Sequence, residues 1–171
     1  RKNRGSNVKF SAVPFKSSVQ SVKETWIDNN QHMNVTYYTL NFDMAVDQFL
    51  ESEIGIGASY VKESKKGSYA LQTQYRYLSE ICSGESFQMS VFISDFDQKR
   101  LHLMLNMLNT NTGLIIASCE TILMNVDLVK RKSCNYPTSA LNNIKKLYEL
   151  AKPLKSRTEM GHPIGLRKKV L

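Results

Sequence analysis

Asn34-Val35-Thr36-Tyr37-Tyr38-Thr39-Leu40-Asn41-Phe42-Asp43-Met44-Ala45-Val46-Asp47-Gln48-Phe49-Leu50-Glu51 decides the fold. Val35, Tyr38, Phe42, Ala45, Val46 and Phe49 recur at spacings of three and four, which predicts a helix from Asn34 to about Glu51. Tyr37, Leu40 and Met44 widen the stripe and leave Thr36, Asp43 and Asp47 as a narrow polar face. So wide an apolar surface predicts a helix buried on most sides. Asn34 has the side chain of an N-cap, and Gly55 with Gly57 marks the stop.

The period changes on both sides of this helix. Upstream, β-branched and aromatic residues from Ser18 to Trp26 predict a strand, and Asp28-Asn29-Asn30-Gln31 reads as a turn. Downstream there are four strand signals. Leu71, Thr73, Tyr75 and Tyr77 alternate with polar residues, as do Phe87, Met89, Val91 and Ile93. Leu101, Leu103, Leu105 and Met107 follow, then a mostly apolar run from Leu114 to Val126. Ser83-Gly84, Asp95 to Gln98 and Asn109 to Gly113 supply the turns of a meander. Pro137-Thr138-Ser139 opens a short amphipathic helix through Leu141, Ile144, Leu147 and Leu150.

The order is strand, helix, four strands, short helix, which is an α+β pattern. One helix covers a sheet of about five antiparallel strands only if the sheet curls around it. An open edge on such a sheet invites pairing with a second copy. The expected division is a basic N-terminal extension over 1–17, one domain over 18–151 and a basic C-terminal tail over 152–171.

At 171 residues, 42 % hydrophobic and 22 % charged, the chain is long enough for one domain with a real core. No apolar run approaches the roughly 20 residues of a membrane helix. The basic start, Arg1-Lys2-Asn3-Arg4-Gly5, has no apolar stretch behind it, so it does not read as a secretory signal. Cys82, Cys119 and Cys134 form neither a CxxC pair nor a metal-type spacing and read as free thiols. Together these point to a cytoplasmic setting. The three histidines match no metal motif, so no metal site is expected. The net charge of +8 calls for an anionic partner. Nucleic acid fits poorly, because no basic stripe is interleaved with aromatics.

Trp26-Ile27-Asp28-Asn29-Asn30-Gln31-His32-Met33-Asn34-Val35-Thr36-Tyr37-Tyr38 resembles the strand-to-helix signature of hotdog acyl-CoA thioesterases of the 4-hydroxybenzoyl-CoA thioesterase-like family. It is nearest to the branch that includes betainyl-CoA thioesterase. Lys99-Arg100-Leu101-His102-Leu103 and Asn125-Val126-Asp127-Leu128 resemble further segments of that branch, over roughly Ser18 to Pro137. The resemblance implies a hotdog fold, acyl-CoA as substrate, a homodimer or dimer of dimers, and no metal or redox cofactor.

The resemblance puts Asp28 in the role of the carboxylate that attacks the thioester or activates water. The helix start suits an oxyanion, since exposed N–H groups at Val35 or its neighbours face developing charge. An Asx-turn is the simpler reading of Asp28. His32 reads as a residue that orders the turn, and Asn34 as a cap that aims the helix amides. Tyr38 is a candidate lining residue. Glu120, inside an apolar strand, either lines the site or faces solvent. Lys99 and Arg100 stand at a turn where they can meet CoA phosphates or simply be solvated.

Gln31 departs from the resembling family, which commonly has Gly before the histidine. A left-handed backbone there costs a Gln on the order of 1 kcal/mol. This departure supports the alternative of a non-catalytic acyl-CoA-binding hotdog module.

Overall fold

The computed structural model describes residues 15–155, Gly161, Ile164 and Gly165. The basic start before Phe15 and most of the basic tail lie outside them. The chain forms β1 (Phe15–Lys16), β2 (Gln20–Ser21), a 3-10 turn (Glu24–Trp26) and α1 (Val35–Phe49). After a π-helical turn (Leu50–Ile54) come α2 (Ala58–Ser64), β3 (Lys66–Tyr77), β4 (Ser86–Phe96), β5 (Arg100–Asn109), β6 (Ile115–Asp127), β7 (Lys132–Ser133) and α3 (Thr138–Lys155). The sheet order is β1-β4-β5-β6-β3, with β2 also on β4 and β7 on β6, all antiparallel.

Period-two patterning produces the two faces. Val91, Ile93, Leu101, Leu103, Leu105, Met107, Ala117 and Cys119 turn one face toward α1, where Tyr38, Phe42, Ala45, Val46 and Phe49 complete a single core. A curved antiparallel sheet on one long helix is the hotdog arrangement expected. The four long strands fall where the alternation and the apolar run predicted them; β3, β4 and β5 extend a few residues further, and β6 is shifted by one residue.

Three expectations are corrected. Of the strand predicted from Ser18 to Trp26, only Gln20–Ser21 is extended and paired, and Glu24–Trp26 is a 3-10 turn. The chain touches β4 only at intervals there, through Ser17 N–H to the Met89 carbonyl (3.0 Å) and Val22 N–H to the Glu85 carbonyl (2.9 Å). Helix α1 is not buried on most sides, since Leu40 and Met44 are each 46 % exposed. Its packed face is the narrower stripe of Tyr38, Phe42, Ala45, Val46 and Phe49. The C-terminal helix is 18 residues long rather than short. Its early Ile144 and Leu147 join the main core, while Ala151 and Leu154 pack on Phe92 and Met104.

Helix α2 had no counterpart in the sequence reading. Glu51 holds its start, accepting from the Ser59 N–H at 3.1 Å and from the Ser59 hydroxyl. Gly55, read as a stop signal, ends the preceding helical segment in the left-handed conformation at φ 83°.

Among the described residues β3 pairs with β6 alone and so stands at an edge of the sheet. A bulge between Ala70 and Gln72 sits within it, and Tyr69, Leu71 and Tyr77 are 40 %, 51 % and 48 % exposed. Long exposed apolar edges are sites of strand pairing.

Candidate active site

Asp28 opens a closed turn immediately before α1. Its N–H donates to the His32 carbonyl (3.0 Å), its carbonyl accepts from Gln31 N–H (3.0 Å), and Ile27 bridges Met33. The loop is anchored at two further points, Met33 N–H to the Ile81 carbonyl (2.9 Å) and Asn34 N–H to the Trp26 carbonyl (2.8 Å). Trp26 in turn stacks on Tyr37 of the helix, with centroids 5.1 Å apart. The turn is therefore fixed to the 3-10 turn behind it, to the segment after β3, and to the helix ahead.

The half-buried Asp28 side chain accepts from Asn30 N–H at 2.8 Å through Oδ1. This is the Asx-turn geometry, and it uses one of the two carboxylate oxygens. Gln31 takes φ 66°. The left-handed step is thus kept in place despite the side chain, and the turn closes.

Asn34 caps α1: its Oδ1 accepts from Thr36 N–H at 2.9 Å with the residue itself extended. Tyr37 N–H goes to the Asn34 carbonyl. The Val35 N–H has no acceptor among the described residues, so the cap leaves a donor at the positive end of the helix dipole. His32 is half-buried, with Nδ1 3.3 Å from the Met33 carbonyl. It is held within the turn.

Tyr38 is 4 % exposed and meets Tyr77 edge-on at 5.3 Å. Burial pushes its hydroxyl up to about 12, with a hydrogen bond to the Ile81 backbone pulling the other way. It is a core residue behind the turn. Beside it, Thr39 Oγ1 donates to the Val35 carbonyl at 3.4 Å, and the same hydroxyl works against the upward push of burial on Tyr75 and Tyr77. Burial, then the nearby Cys119 and Asp43, push Tyr75 up to about 12. This tyrosine and threonine wall lines the flank of α1 that faces the edge strand. The sequence reading missed it, although Tyr75 and Tyr77 stood on the predicted inward face of their strand.

The other predicted residues lie elsewhere. Glu120 sits on the sheet face away from α1, with Oε1 2.8 Å from His102 Nε2 and Oε2 accepting from Gly161 N–H at 2.8 Å. These groups border a recess of about 250 Å³ with Gln72 and Gln74. Lys99 and Arg100 form the β4–β5 turn, at the opposite end of the sheet from the start of α1. Both of their N–H groups donate to Asp97 Oδ1 (2.9 and 2.7 Å), and Arg100 Nε reaches Oδ2 at 2.7 Å. Lys99 Nζ lies 3.2 Å from Ser133 Oγ. Asp28, His32, Asn34 and Val35 are thus gathered in one place, and Lys99, Arg100 and Glu120 are not within it.

Comparison with known proteins gives a consistent picture. A family model described as the thioesterase-like superfamily matches residues 22–144. The betainyl-CoA thioesterase of Pseudomonas aeruginosa is 26 % identical over 141 residues, covering 82 % of this chain and 88 % of that protein. The L-carnitine dehydrogenase/betainyl-CoA thioesterase of a Rhizobium species is 26 % identical over 155 residues, 91 % of this chain. This chain spans only 31 % of that longer relative.

A Staphylococcus aureus hypothetical protein solved in complex with CoA superposes with a TM-score of 0.79 at 27 % identity, over 90 % of this chain and 95 % of that one. A thioesterase-like protein from Pseudomonas putida KT2440, described as a candidate of that activity, gives 0.76 at 25 % identity, over 90 % and 97 %. From its matched family model, with the fold and the turn that precedes α1, the chain is a member of the thioesterase-like superfamily.

Proposed function

We propose that the protein is an acyl-CoA thioesterase, releasing a free acid and coenzyme A. The observation that carries this reading is the pairing of a half-buried carboxylate in a closed turn with an N–H at the following helix start that meets no acceptor among the described residues. A thioester carbonyl placed between them meets a nucleophile or general base on one side and an oxyanion donor on the other. The Asn34 cap orders the last turn of backbone before Val35, and the helix dipole adds to the field there.

The CoA complex of the Staphylococcus aureus neighbour and the named activity of the Pseudomonas relative support CoA as the thiol. Those relatives also make a betaine-type acyl group the first to try. Edge-to-edge pairing across β3 supplies the dimer, because it covers Leu71 and Tyr77 and walls the flank of α1 beside Tyr75. The closed left-handed turn at Gln31 favours turnover over the binding-only module, since the carboxylate remains fixed ahead of the helix.

Asp28→Asn tests the proposal cleanly. Asparagine keeps an oxygen for the Asn30 N–H and so preserves the turn. Thiol release from acyl-CoAs is expected to fall by about a hundredfold or more, on the scale of losing a nucleophile or general base, with the melting temperature unchanged. Full turnover in a folded Asp28→Asn protein refutes the assignment.

A further inference from the structure

The flank of α1 beside the edge strand carries charge of the opposite sign to the chain as a whole. Between Lys23 and Lys62 there is no lysine or arginine, while Glu24, Asp28, Asp43, Asp47, Glu51 and Glu53 all fall there, in a protein of net charge +8. Asp43 and Asp47 stand on α1 itself. Among the described residues the Asp43 carboxylate has no ion-pair partner.

Asp43 looks onto the sheet. Burial pushes the Cys119 thiol up to about 12, with Glu120 and then Asp43 adding to the push. At Tyr75 burial again comes first, followed by Cys119 and Asp43, and the Asp47 carboxyl is raised by burial and then by Asp43. No lysine or arginine acts in the other direction on any of the three. The arginine of β3, Arg76, alternates onto the opposite sheet face from Tyr75 and Tyr77.

Aromatic rings lead along the helix to this carboxylate. Tyr77 meets Tyr38 at 5.3 Å, and Tyr75 meets Phe42 at 5.7 Å, one turn further from the start of α1. Thr39 lies between the two pairs, and Asp43 follows Phe42. Tyr77 is 48 % exposed and Tyr75 is half-buried, so ring surface is left for a ligand. Val35, whose N–H the thioesterase reading gives to the oxyanion, precedes Asp43 by eight residues, about 12 Å along the helix axis.

Coenzyme A is a polyanion, and a wall whose nearest charges are negative repels it. The wall suits the other end of the substrate. Tyrosine faces beside a carboxylate attract a cation, above all a quaternary ammonium, which makes no hydrogen bonds and is held by ring faces and charge alone. We infer that Tyr75, Tyr77 and Asp43 select acyl groups of the trimethylammonio class, with a permanent positive charge several carbons beyond the thioester carbonyl. The inference rests on the thioesterase reading above and assigns its acyl specificity to these three residues.

The test pairs 4-trimethylammoniobutyryl-CoA with its neutral isostere 5,5-dimethylhexanoyl-CoA, in which carbon replaces the nitrogen. Wild type should prefer the charged substrate by about tenfold or more in kcat/KM. Asp43→Asn keeps the shape of an exposed side chain and should lower that ratio about tenfold. Tyr75→Leu should move the ratio in the same direction, and Asp43→Asn keeps the test open if the leucine variant fails to fold. A residue that only supports the fold moves both substrates together. A wild-type ratio of one or below, or a ratio that Asp43→Asn leaves unchanged, overturns the assignment.

The same pair made as non-hydrolysable thioethers and titrated by calorimetry separates the two readings. Preference for the charged thioether, without turnover of either thioester, refutes the thioesterase reading and leaves the cation site standing. Turnover of both thioesters at equal kcat/KM refutes the cation site alone.

Discussion

Replacing Gln31 with glycine should stabilise the protein, and the size of the gain follows from one angle. Gln31 holds φ 66° with an exposed side chain, and its backbone N–H already serves the Asp28 carbonyl. No side-chain contact is lost on substitution. Relief of the left-handed strain is worth about 1–2 kcal/mol. The greater freedom of glycine in the unfolded chain takes back about 0.4–1 kcal/mol. A net gain of about 1 kcal/mol remains, which for a domain of this size raises Tm by roughly 2–4 °C.

The assay is thermal unfolding of wild type, Gln31→Gly and Gln31→Ala in one buffer. Alanine keeps the Cβ and the strain, so its Tm should stay near wild type. A Gln31→Gly protein that melts at or below the wild-type temperature refutes the claim that this residue stores strain. Activity measured alongside separates two roles. If the fixed turn aims the carboxylate, the glycine variant gains stability while losing part of its kcat.

Other perturbations address the cap and the far turn. Asn34→Ala removes the acceptor for Thr36 N–H and should cost about 1 kcal/mol of stability by denaturant unfolding. Its kcat should fall while KM changes little, because the amide at Val35 loses its ordering neighbour. At Asp97, burial pushes the carboxyl up, but the N–H groups of Lys99 and Arg100 and the Arg100 side chain outweigh it, so its pKa is lowered. A lowered folded-state pKa means stability present above the unfolded value and lost as pH falls through the folded one. The stability difference between wild type and Asp97→Asn should be constant above about pH 5 and shrink below about pH 4. A difference that grows on acidification contradicts this sign.

The long elements were legible because their apolar residues repeat cleanly. Phe42, Val46 and Phe49 fix one face of α1, and Leu101, Leu103 and Leu105 fix one face of β5, whatever surrounds them. The turn before α1 was legible for a different reason: the Asp28 and Asn34 side chains each accept from a backbone N–H two residues on, which sequence spacing encodes directly. What could not be read depends on partners distant in the chain. The start of α2 is held by Glu51, eight residues before Ser59, and no periodicity announces it. Leu40 and Met44 looked like core because composition does not say which apolar residues of a helix turn away from its own sheet. Glu120 was open between two faces; the register with Met104 and Gln74, not its neighbours in sequence, sends it to the side of His102.

The bond from Met33 to the Ile81 carbonyl ties the Asp28 turn to the residues that leave the edge strand. The turn and the sheet edge therefore share a stretch of backbone. Residues 78–82 have little liberty to drift: a change there moves the carboxylate and the edge strand together. The turn at Asn111–Gly113, which borders neither, is the natural place for insertions to accumulate.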